Sequence, residues 1–218
     1  MIRITRRAVS VPNNEGLEPI HIAARDGDLN TVINLIENKA KVNAVAKNEF
    51  KETALHFAAK NGHLDIVKYL LDHKAKLHQT EERGFEAIHL AAENGHLEVL
   101  RYLVEEKKVK PNIKATDDFT PIQAATLKGH LPCVQFLVEK GVDINQTNSF
   151  LVKMSLLEMA AGEGYMDICK YLVDQGANVN AKDKTGDRAS DLAAQKGHIE
   201  VAEYLKSLEK NSVCCIIQ

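Results

Sequence analysis

Residues 53–72 read TALHFAAKNGHLDIVKYLLD, and this stretch contains two short helical patterns separated by a glycine. The first pattern is rich in alanine, whose small side chain lets neighbouring helices approach closely. The second places Leu64, Val67 and Leu70 at helical spacing, so that they form one apolar face. Gly62, between the two, suits the left-handed backbone conformation in which many helices end. We therefore predict a pair of short helices joined by a tight turn.

The same pattern occurs six times along the chain, at intervals of 33 to 35 residues. The copies align without gaps as IHIAARDGDL, LHFAAKNGHL, IHLAAENGHL, IQAATLKGHL, LEMAAGEGYM and SDLAAQKGHI. One helix pair cannot cover its own apolar face, so repeats of this kind fold by stacking on their neighbours. We predict an all-α solenoid of about six helix-turn-helix repeats over residues 16–209, with an N-terminal extension at 1–15 and a flexible tail at 210–218.

These units resemble ankyrin repeats, whose hallmark is T-P-L-H-x-A-A followed by G-H and V-V-x-L-L. The resemblance is carried by residues 53–72 and by TPIQAATLKGHLPCVQFLVEKGVDIN at residues 120–145. It implies a curved stack in which the hairpin tips and the first helices of the repeats form a concave face that binds proteins. The fold alone does not identify the partner.

Several repeats depart from the family pattern. Lys39 and Lys74 replace the glycine expected after the second helix. Because a non-glycine residue in a left-handed cap costs about 1 kcal/mol, we expect these two turns to be looser or shaped differently. One extra residue is present in VEEKKVKPN at 104–112, and the hairpin in QTNSFLVKMSLL at 146–157 is enlarged by two residues.

Nine histidines invite a metal or catalytic interpretation, but most of them recur at the repeat spacing and do not converge on one point. Three occupy the His position of T-P-L-H and four follow the repeat glycine, namely His21, His56 and His89, then His63, His96, His130 and His198. The family resemblance implies that such histidines hydrogen-bond to neighbouring backbone and orient the turns. We therefore predict no metal site and no cofactor.

Composition and motifs argue against catalysis and against binding to nucleic acid. The formal net charge of -2 provides no global field that attracts a polyanion. Cys133 and Cys169 fall at apolar positions of second helices, where we expect small buried side chains. The sequence contains no glycine-rich phosphate loop, zinc-spaced cluster or nucleophile elbow. We predict that the protein is not an enzyme and has no nucleic-acid partner.

Candidate partner-binding residues are apolar side chains on the face that the resemblance implies. One phenylalanine recurs at each of four hairpin tips, where it either anchors a partner or packs on the neighbouring hairpin. Leu127 stands where the other repeats have mostly polar residues, and the enlarged hairpin carries an apolar patch for which we favour binding. The predicted set is Phe50, Phe85, Phe119, Leu127, Phe150, Leu151 and Val152.

The last four residues, Cys215-Ile216-Ile217-Gln218, match the C-a-a-X pattern of protein prenylation, with a terminal glutamine that favours farnesyl. One prenyl chain gives only marginal membrane binding, so stable anchoring needs a second signal. Cys214 is the candidate for it, as a palmitoylation site. The alternative is that the apolar tail residues fold back as a cap on the last repeat.

These features predict a non-enzymatic adaptor that binds a protein on its concave face and is held at the cytoplasmic face of a membrane through a lipid added by a prenyltransferase. The combination resembles ankyrin-repeat effectors of intracellular bacteria, in which case the membrane is that of the host cell. The alternative is a soluble cytosolic scaffold or inhibitor with an unmodified tail.

Overall fold

The computed structural model describes residues 11–147 and 153–214, with side chains up to residue 209. The chain divides into two compact units, Met1–Lys110 and Pro111–Gln218. Within the described ranges each unit contains three helix pairs, and no strand is present beyond the isolated bridges Val45–Thr53 and Thr147–Ser155. The predicted all-helical repeats are therefore observed.

The first unit consists of three helix pairs that correspond to the first three sequence repeats. The pairs are α1 Pro19–Asp26 with α2 Leu29–Glu37, α3 Ala54–Lys60 with α4 Leu64–Asp72, and α5 Ala87–Glu93 with α6 Leu97–Arg101. The first helices pack against one another in the order α1, α3, α5, and the second helices pack in the order α2, α4, α6. This arrangement buries the alanine pairs between first helices and the leucine faces between second helices.

The second unit repeats the arrangement with the remaining three pairs. They are α7 Pro121–Leu127 with α8 Leu131–Glu139, α9 Leu156–Gly162 with α10 Met166–Asp174, and α11 Ala189–Gln195 with α12 Ile199–Cys214. Helix α9 packs between α7 and α11, and α10 contacts both α8 and α12. Phe136 of α8 is the largest side chain that is fully buried in the described part of the chain.

The T-x-x-H start of the first helices is explained by a reciprocal cap. In α3 the Nδ1 atom of His56 accepts a hydrogen bond from the Thr53 N–H at 3.0 Å. The proton on His56 must then be on Nε2, which donates to the backbone carbonyl of Gln79 at 2.9 Å. One buried imidazole thus caps its own helix and holds the following hairpin.

The turns at Lys39 and Lys74 have the geometry of the glycine turns, so the expectation of a different shape was wrong. Their φ angles of 69° and 70° are left-handed, like the 82° of Gly141. The turn is fixed by a hydrogen bond from the N–H of the next residue to a carbonyl five residues back, for example Ala75 to Leu70 at 2.8 Å. Because the backbone forms this hydrogen bond, Lys39 and Lys74 adopt the left-handed conformation that lysine disfavours.

The extra residue of the third repeat is absorbed in a short π-helix, Tyr102–Glu106, which continues α6. The closing hydrogen bond is one residue longer here and joins the Val109 N–H to the Leu103 carbonyl at 3.0 Å. Val109 consequently stays buried at 3% exposure, and Lys108 occupies the left-handed position with φ 58°. The insertion therefore widens one helical turn and leaves the hairpin in register.

The last helix is longer than predicted, because α12 runs to Cys214 whereas the sequence indicated an end near Leu208. Glu209 explains the difference through contacts with the start of α11. It accepts hydrogen bonds from Ser190 Oγ at 2.6 Å and from Arg188 Nη1 at 3.4 Å. The segment predicted as flexible from residue 210 is thus helical as far as Cys214, and residues 215–218 lie outside the described residues.

Candidate functional site

The hairpin tips of the first unit carry two of the predicted aromatic residues, and their environments differ. Phe85 is only 6% exposed, and its ring stacks on His89 with 5.1 Å between ring centroids. The guanidinium carbon of Arg83 lies 4.2 Å from the Phe85 centroid. This placement favours the packing interpretation for Phe85.

Phe50 is an exposed aromatic side chain on a hairpin tip that is bonded to the neighbouring hairpin. Phe50 is 37% exposed, and two cations lie near its ring, with Lys60 Nζ at 5.8 Å and Arg83 Cζ at 5.5 Å from the centroid. Its backbone carbonyl accepts a hydrogen bond from the Glu82 N–H at 2.9 Å, and Lys51 forms an ion pair with Glu82 at 2.6 Å. The ring is therefore held at the surface by the neighbouring hairpin.

The cations beside Phe50 are themselves neutralised by carboxylates. Lys60 pairs with Glu52 at 3.2 Å, and Arg83 contacts Glu93 at 3.3 Å and Glu81 at 3.4 Å. Burial lowers the pKa of Arg83, but Glu93 and Glu81 outweigh it and hold the pKa above its ordinary value. The carboxylates at this tip outnumber the cations by one, so the Phe50 ring stands among ion pairs with a small excess of negative charge.

The positions before the repeat glycines, which the resemblance places on the binding face, are also paired in most repeats. Arg25 contacts Glu15 at 3.1 Å and Asp26 at 2.9 Å, and Lys196 contacts Glu163 at 2.7 Å. Most of these pairs are exposed, so each contributes little to the free energy of unfolding. Their effect is to keep this face nearly neutral within each unit.

In the second unit two of the predicted residues are half-buried, and the other three lie outside the described residues. Leu127, at the end of α7, and Phe119, before Thr120, are both half-buried. Phe150, Leu151 and Val152 belong to the segment 148–152, which lies outside the described residues. A pocket of about 260 Å³ adjoins the two ends of this segment and is lined by Ile144, Asn145, Thr147, Ser155, Leu157, Ala177, Asn178 and Ala181.

The histidines of the first unit have structural partners, as the family resemblance implied. His21 Nε2 contacts the Ala44 carbonyl at 2.9 Å, and His63 Nε2 contacts the Arg25 carbonyl at 3.0 Å. His63 also lies against Gly27, where a Cβ atom would approach its ring to 2.6 Å. Burial lowers the pKa values of His21 and His56. Within residues 11–147 and 153–209, no three metal-binding side chains converge on one point.

The two cysteines in the repeats are not nucleophiles in the folded chain. Cys133 and Cys169 are both fully buried on second helices. Burial raises the pKa of the Cys133 thiol to about 11 and that of Cys169 to about 12, so neither forms a thiolate at neutral pH. Cys214 ends α12, and Cys215 lies outside the described residues.

Two features of the surface were not predicted from the sequence. Arg83 links Phe50 and Phe85 through its planar guanidinium group, and nothing in the local pattern distinguishes it from other loop cations. Glu209 anchors the end of α12, although it stands beyond the last apolar position of the repeat. None of the helices in the described ranges is both long and apolar enough to cross a bilayer.

Comparison with family models gives the same repeat assignment. Models of ankyrin repeats in three copies match residues 4–81 and 74–148, and a model of ankyrin repeats in many copies matches residues 157–205. The chain is also similar to the crystal structure of the human ASB11 ankyrin repeat domain, with a TM-score of 0.77 and 26% identity. The similarity covers 88% of this chain and 83% of that one.

Similar curated proteins are diverse. The chain is 41% identical over 81 residues to mouse ankyrin repeat and SAM domain-containing protein 6, which is 37% of this chain and 9% of that protein. It is 39% identical over 71 residues to human protein phosphatase 1 regulatory subunit 27, and the match covers 33% of this chain and 45% of that protein. It is 32% identical over 199 residues to the transient receptor potential cation channel subfamily A member 1 homolog of Caenorhabditis elegans. That match covers 91% of this chain and 16% of that protein. The matched regions therefore span less than half the length of each of these relatives.

Proposed function

The chain belongs to the ankyrin-repeat family, and from that premise we propose that it is a non-enzymatic adaptor that captures a protein through its hairpin tips. The observation that carries the proposal is the exposed ring of Phe50 near Lys60 and Arg83. Ankyrin repeats bind proteins in the family at large, and human protein phosphatase 1 regulatory subunit 27, a similar protein, is by name a regulatory subunit. The partner of this chain is a protein of unknown identity.

Phe50 has the properties of a binding anchor. Buried aromatic side chains dominate the energetics of many interfaces, and an anchor that is already held in place loses little side-chain entropy on binding. The hydrogen bond from the Glu82 N–H and the two flanking cations hold the Phe50 ring in its exposed position. A partner that covers this ring gains apolar contact without having to reorganise the loop.

Phe50→Ala tests this surface with a matched control on the same loop. Val45 is 44% exposed and lies before the same tip, but it carries no aromatic ring. In capture of cellular proteins by the immobilised chain, Phe50→Ala is expected to reduce recovery of a specific partner at least about tenfold, whereas Val45→Ala retains it. Equal recovery by both variants would remove Phe50 from the interface.

The second part of the proposal is that a prenylated Cys215 holds the adaptor at a membrane. The C-a-a-X sequence at residues 215–218 supports this, and Cys214 is proposed as the site of a second, palmitoyl chain. Because α12 reaches Cys214, we expect the transferase to bind the tail after the last turn of the helix unwinds. The setting is a bacterial effector in a eukaryotic host, or a eukaryotic adaptor, which fits the residues equally.

Fractionation of eukaryotic cells that express the chain separates this proposal from its alternative. The wild type is expected in the membrane fraction and the Cys215→Ser variant in the soluble fraction. Cys214→Ser is expected to show an intermediate distribution, since one lipid chain binds membranes reversibly. If all three proteins are equally soluble, the alternative of a soluble scaffold or inhibitor with an unmodified tail is favoured.

A further inference from the structure

The first unit carries a regular array of lysines where its second helices end. The sequence Lys-x-Lys occurs at the same structural position in all three of its repeats. In the second unit the corresponding sequences are Gly141-Val142-Asp143 and Gly176-Ala177-Asn178. We call the six residues of the first unit the lysine array, and they are Lys39, Lys41, Lys74, Lys76, Lys108 and Lys110.

The first lysine of each pair stands in a backbone conformation that favours glycine. Lys39, Lys74 and Lys108 have φ angles of 69°, 70° and 58°, whereas the second unit has glycine at this point, with φ angles of 82° and 90°. A lysine here strains the fold, and a glycine would not. Three lysines at three strained positions indicate that the charge at this site serves a purpose other than folding.

Side-chain contacts join the ends of neighbouring repeats in the array. Asn43 Nδ2 donates to the Lys74 carbonyl at 3.0 Å, and Asn43 Oδ1 accepts from the Lys76 N–H at 2.8 Å. Asp72 and Lys107 form an ion pair at 3.3 Å between the second and third repeats. The three Lys-x-Lys pairs therefore lie side by side along one edge of the first unit.

The array is exposed and is not neutralised by the rest of the chain. All six lysines are exposed, and none forms an ion pair among the described residues. Lys108 Nζ donates to the Glu105 carbonyl at 2.5 Å, which leaves its charge in place. The acids on the adjoining last turns are Glu37, Asp72, Glu105 and Glu106, and two of them are paired, Asp72 with Lys107 and Glu105 with Arg101. The edge therefore keeps a net positive charge in a chain whose total is -2.

We propose that the lysine array binds the anionic headgroups of a phospholipid membrane. This deepens the membrane part of the proposed function, on which it rests, and adds an electrostatic contact to the lipid chains proposed at Cys215 and Cys214. Groups of four to eight basic residues are sufficient for such binding, and each lysine close to an anionic surface strengthens it about fivefold. The array provides this charge on a folded edge instead of a disordered polybasic tail.

The character of the array favours a lipid surface over a protein or a nucleic acid. It contains only lysines, which are hydrated point charges, and no arginine, whose fork gives bidentate recognition of phosphates and bases. No aromatic side chain alternates with the lysines, as base stacking would require. The residue between each pair, Ala40, Ala75 or Val109, is not exposed and offers a protein partner no apolar anchor.

Vesicle co-sedimentation of the full chain tests this without the prenyl group, because bacteria used for expression do not prenylate it. The wild type is expected to bind vesicles of phosphatidylcholine mixed with phosphatidylserine and not vesicles of phosphatidylcholine alone. Raising the salt to about 1 M, where the Debye length is about 3 Å, is expected to release it. Failure of the prenylation proposal would leave this result unchanged, since no lipid is attached.

Two array variants and one control decide whether the lysines are responsible. Lys39→Gly with Lys74→Gly and Lys108→Gly is expected to bind at least about tenfold more weakly while it folds as well as the wild type. Lys41→Gln with Lys76→Gln and Lys110→Gln removes equal charge at unstrained positions and has the same expected effect. The control, Lys182→Gln with Lys184→Gln and Lys206→Gln, removes equal charge from exposed sites of the second unit and is expected to bind normally.

Equal vesicle binding by all four proteins would overturn the proposal. So would array-dependent binding to a DNA duplex or to polyglutamate with no binding to vesicles, because it would assign the array to a different class of partner. Binding to both vesicle types regardless of charge would also overturn it. A loss of binding confined to the two array variants supports the assignment.

Discussion

The buried histidines of the first unit predict how stability depends on pH. His21 and His56 are almost inaccessible, and burial lowers their pKa values from an ordinary value of about 6.5. The unfolded chain therefore takes up protons at a pH where the folded chain does not. Their stabilising effect is present above pH 6.5 and is lost as the pH falls from there through the folded-state pKa values.

The size of the effect follows from proton linkage. Each histidine that is protonated only in the unfolded chain contributes a slope of about 1.4 kcal/mol per pH unit to the free energy of unfolding. His21 and His56 together give a slope of at most about 2.7 kcal/mol per pH unit. The slope is confined to the interval between pH 6.5 and the folded-state pKa values, because below them both states are protonated.

Another repeat of the chain shows that glutamine can replace the capping histidine, which should remove this pH dependence. Gln123 occupies the same position in α7, and its Oε1 atom accepts the capping hydrogen bond from the Thr120 N–H at 2.9 Å. Its Nε2 atom has no hydrogen-bond partner. The double variant His21→Gln, His56→Gln is therefore expected to keep both caps and to leave the Ala44 and Gln79 carbonyls unpaired, at a cost of about 1–3 kcal/mol each at pH 8.

Urea denaturation of the full chain, followed by circular dichroism from pH 8 to pH 5, measures this directly. The free energy of unfolding of the wild type should decrease below pH 6.5. That of the double variant should be lower at pH 8 and should decrease much less steeply as the pH falls. His73→Gln is the matched control, since His73 is exposed at the end of α4 and its replacement should leave the slope intact. A double variant that retains the full acid-side slope would refute the role assigned to His21 and His56.

Three further predictions concern other buried or strained groups. Glu158 of α9 stands at the capping position that His56 occupies in α3, and burial raises the pKa of its carboxyl group. Its stabilising effect is therefore present below the ordinary pKa of about 4.5 and is lost as the pH rises. Glu158→Gln should raise the urea midpoint at pH 7 but not at pH 4. Lys39→Gly and Lys74→Gly should each raise the free energy of unfolding by between zero and about 1 kcal/mol. The relief of backbone strain is partly offset by the greater freedom of glycine in the unfolded chain. A loss of stability in the same urea assay would contradict the assigned strain. A thiol reagent at pH 8 should label at most the two C-terminal cysteines of the folded chain and all four in urea, because Cys133 and Cys169 are buried; rapid labelling of either in the native chain, located by mass spectrometry, would contradict their placement.

The helix pairs could be predicted from the sequence because their causes are local. The spacing of apolar residues defines each second helix, and the glycine after each first helix supplies the left-handed turn. The repeat of this pattern then implies stacking, since no single pair buries its apolar face. The equal spacing of the histidines argued against a metal site, and their hydrogen-bonding role was implied by the family resemblance.

The sequence was less informative where distant contacts decide the structure. The turn at Lys74 keeps its shape because the hydrogen bond from Ala75 to Leu70 outweighs the preference of lysine. Helix α12 continues past Leu208 because Glu209 bonds to Ser190, which is 19 residues earlier in the chain. No local pattern encodes either contact.

The aromatic tips show the same limitation. Phe50 and Phe85 each recur once per hairpin, but Phe50 lies three residues before the N-cap of α3 and is exposed, whereas Phe85 lies directly before the N-cap of α5 and is buried. Close to the helix start, the Phe85 ring lies 4.2 Å from Arg83 and stacks on His89, whereas the Phe50 ring, farther out on its tip, has Arg83 at 5.5 Å. Such packing depends on the residues of the neighbouring hairpin, so periodicity alone predicts a line of equivalent aromatic side chains.

The central functional claim is that this ankyrin-repeat adaptor acts at a membrane through its C-terminal cysteine. The most direct test is the intact mass of the full chain purified from eukaryotic cells, compared with the Cys215→Ser variant. The account predicts that the wild type carries the mass of one farnesyl group, with loss of the last three residues where the tail is processed, and that the variant carries neither change. A wild-type chain with the unmodified mass would contradict it.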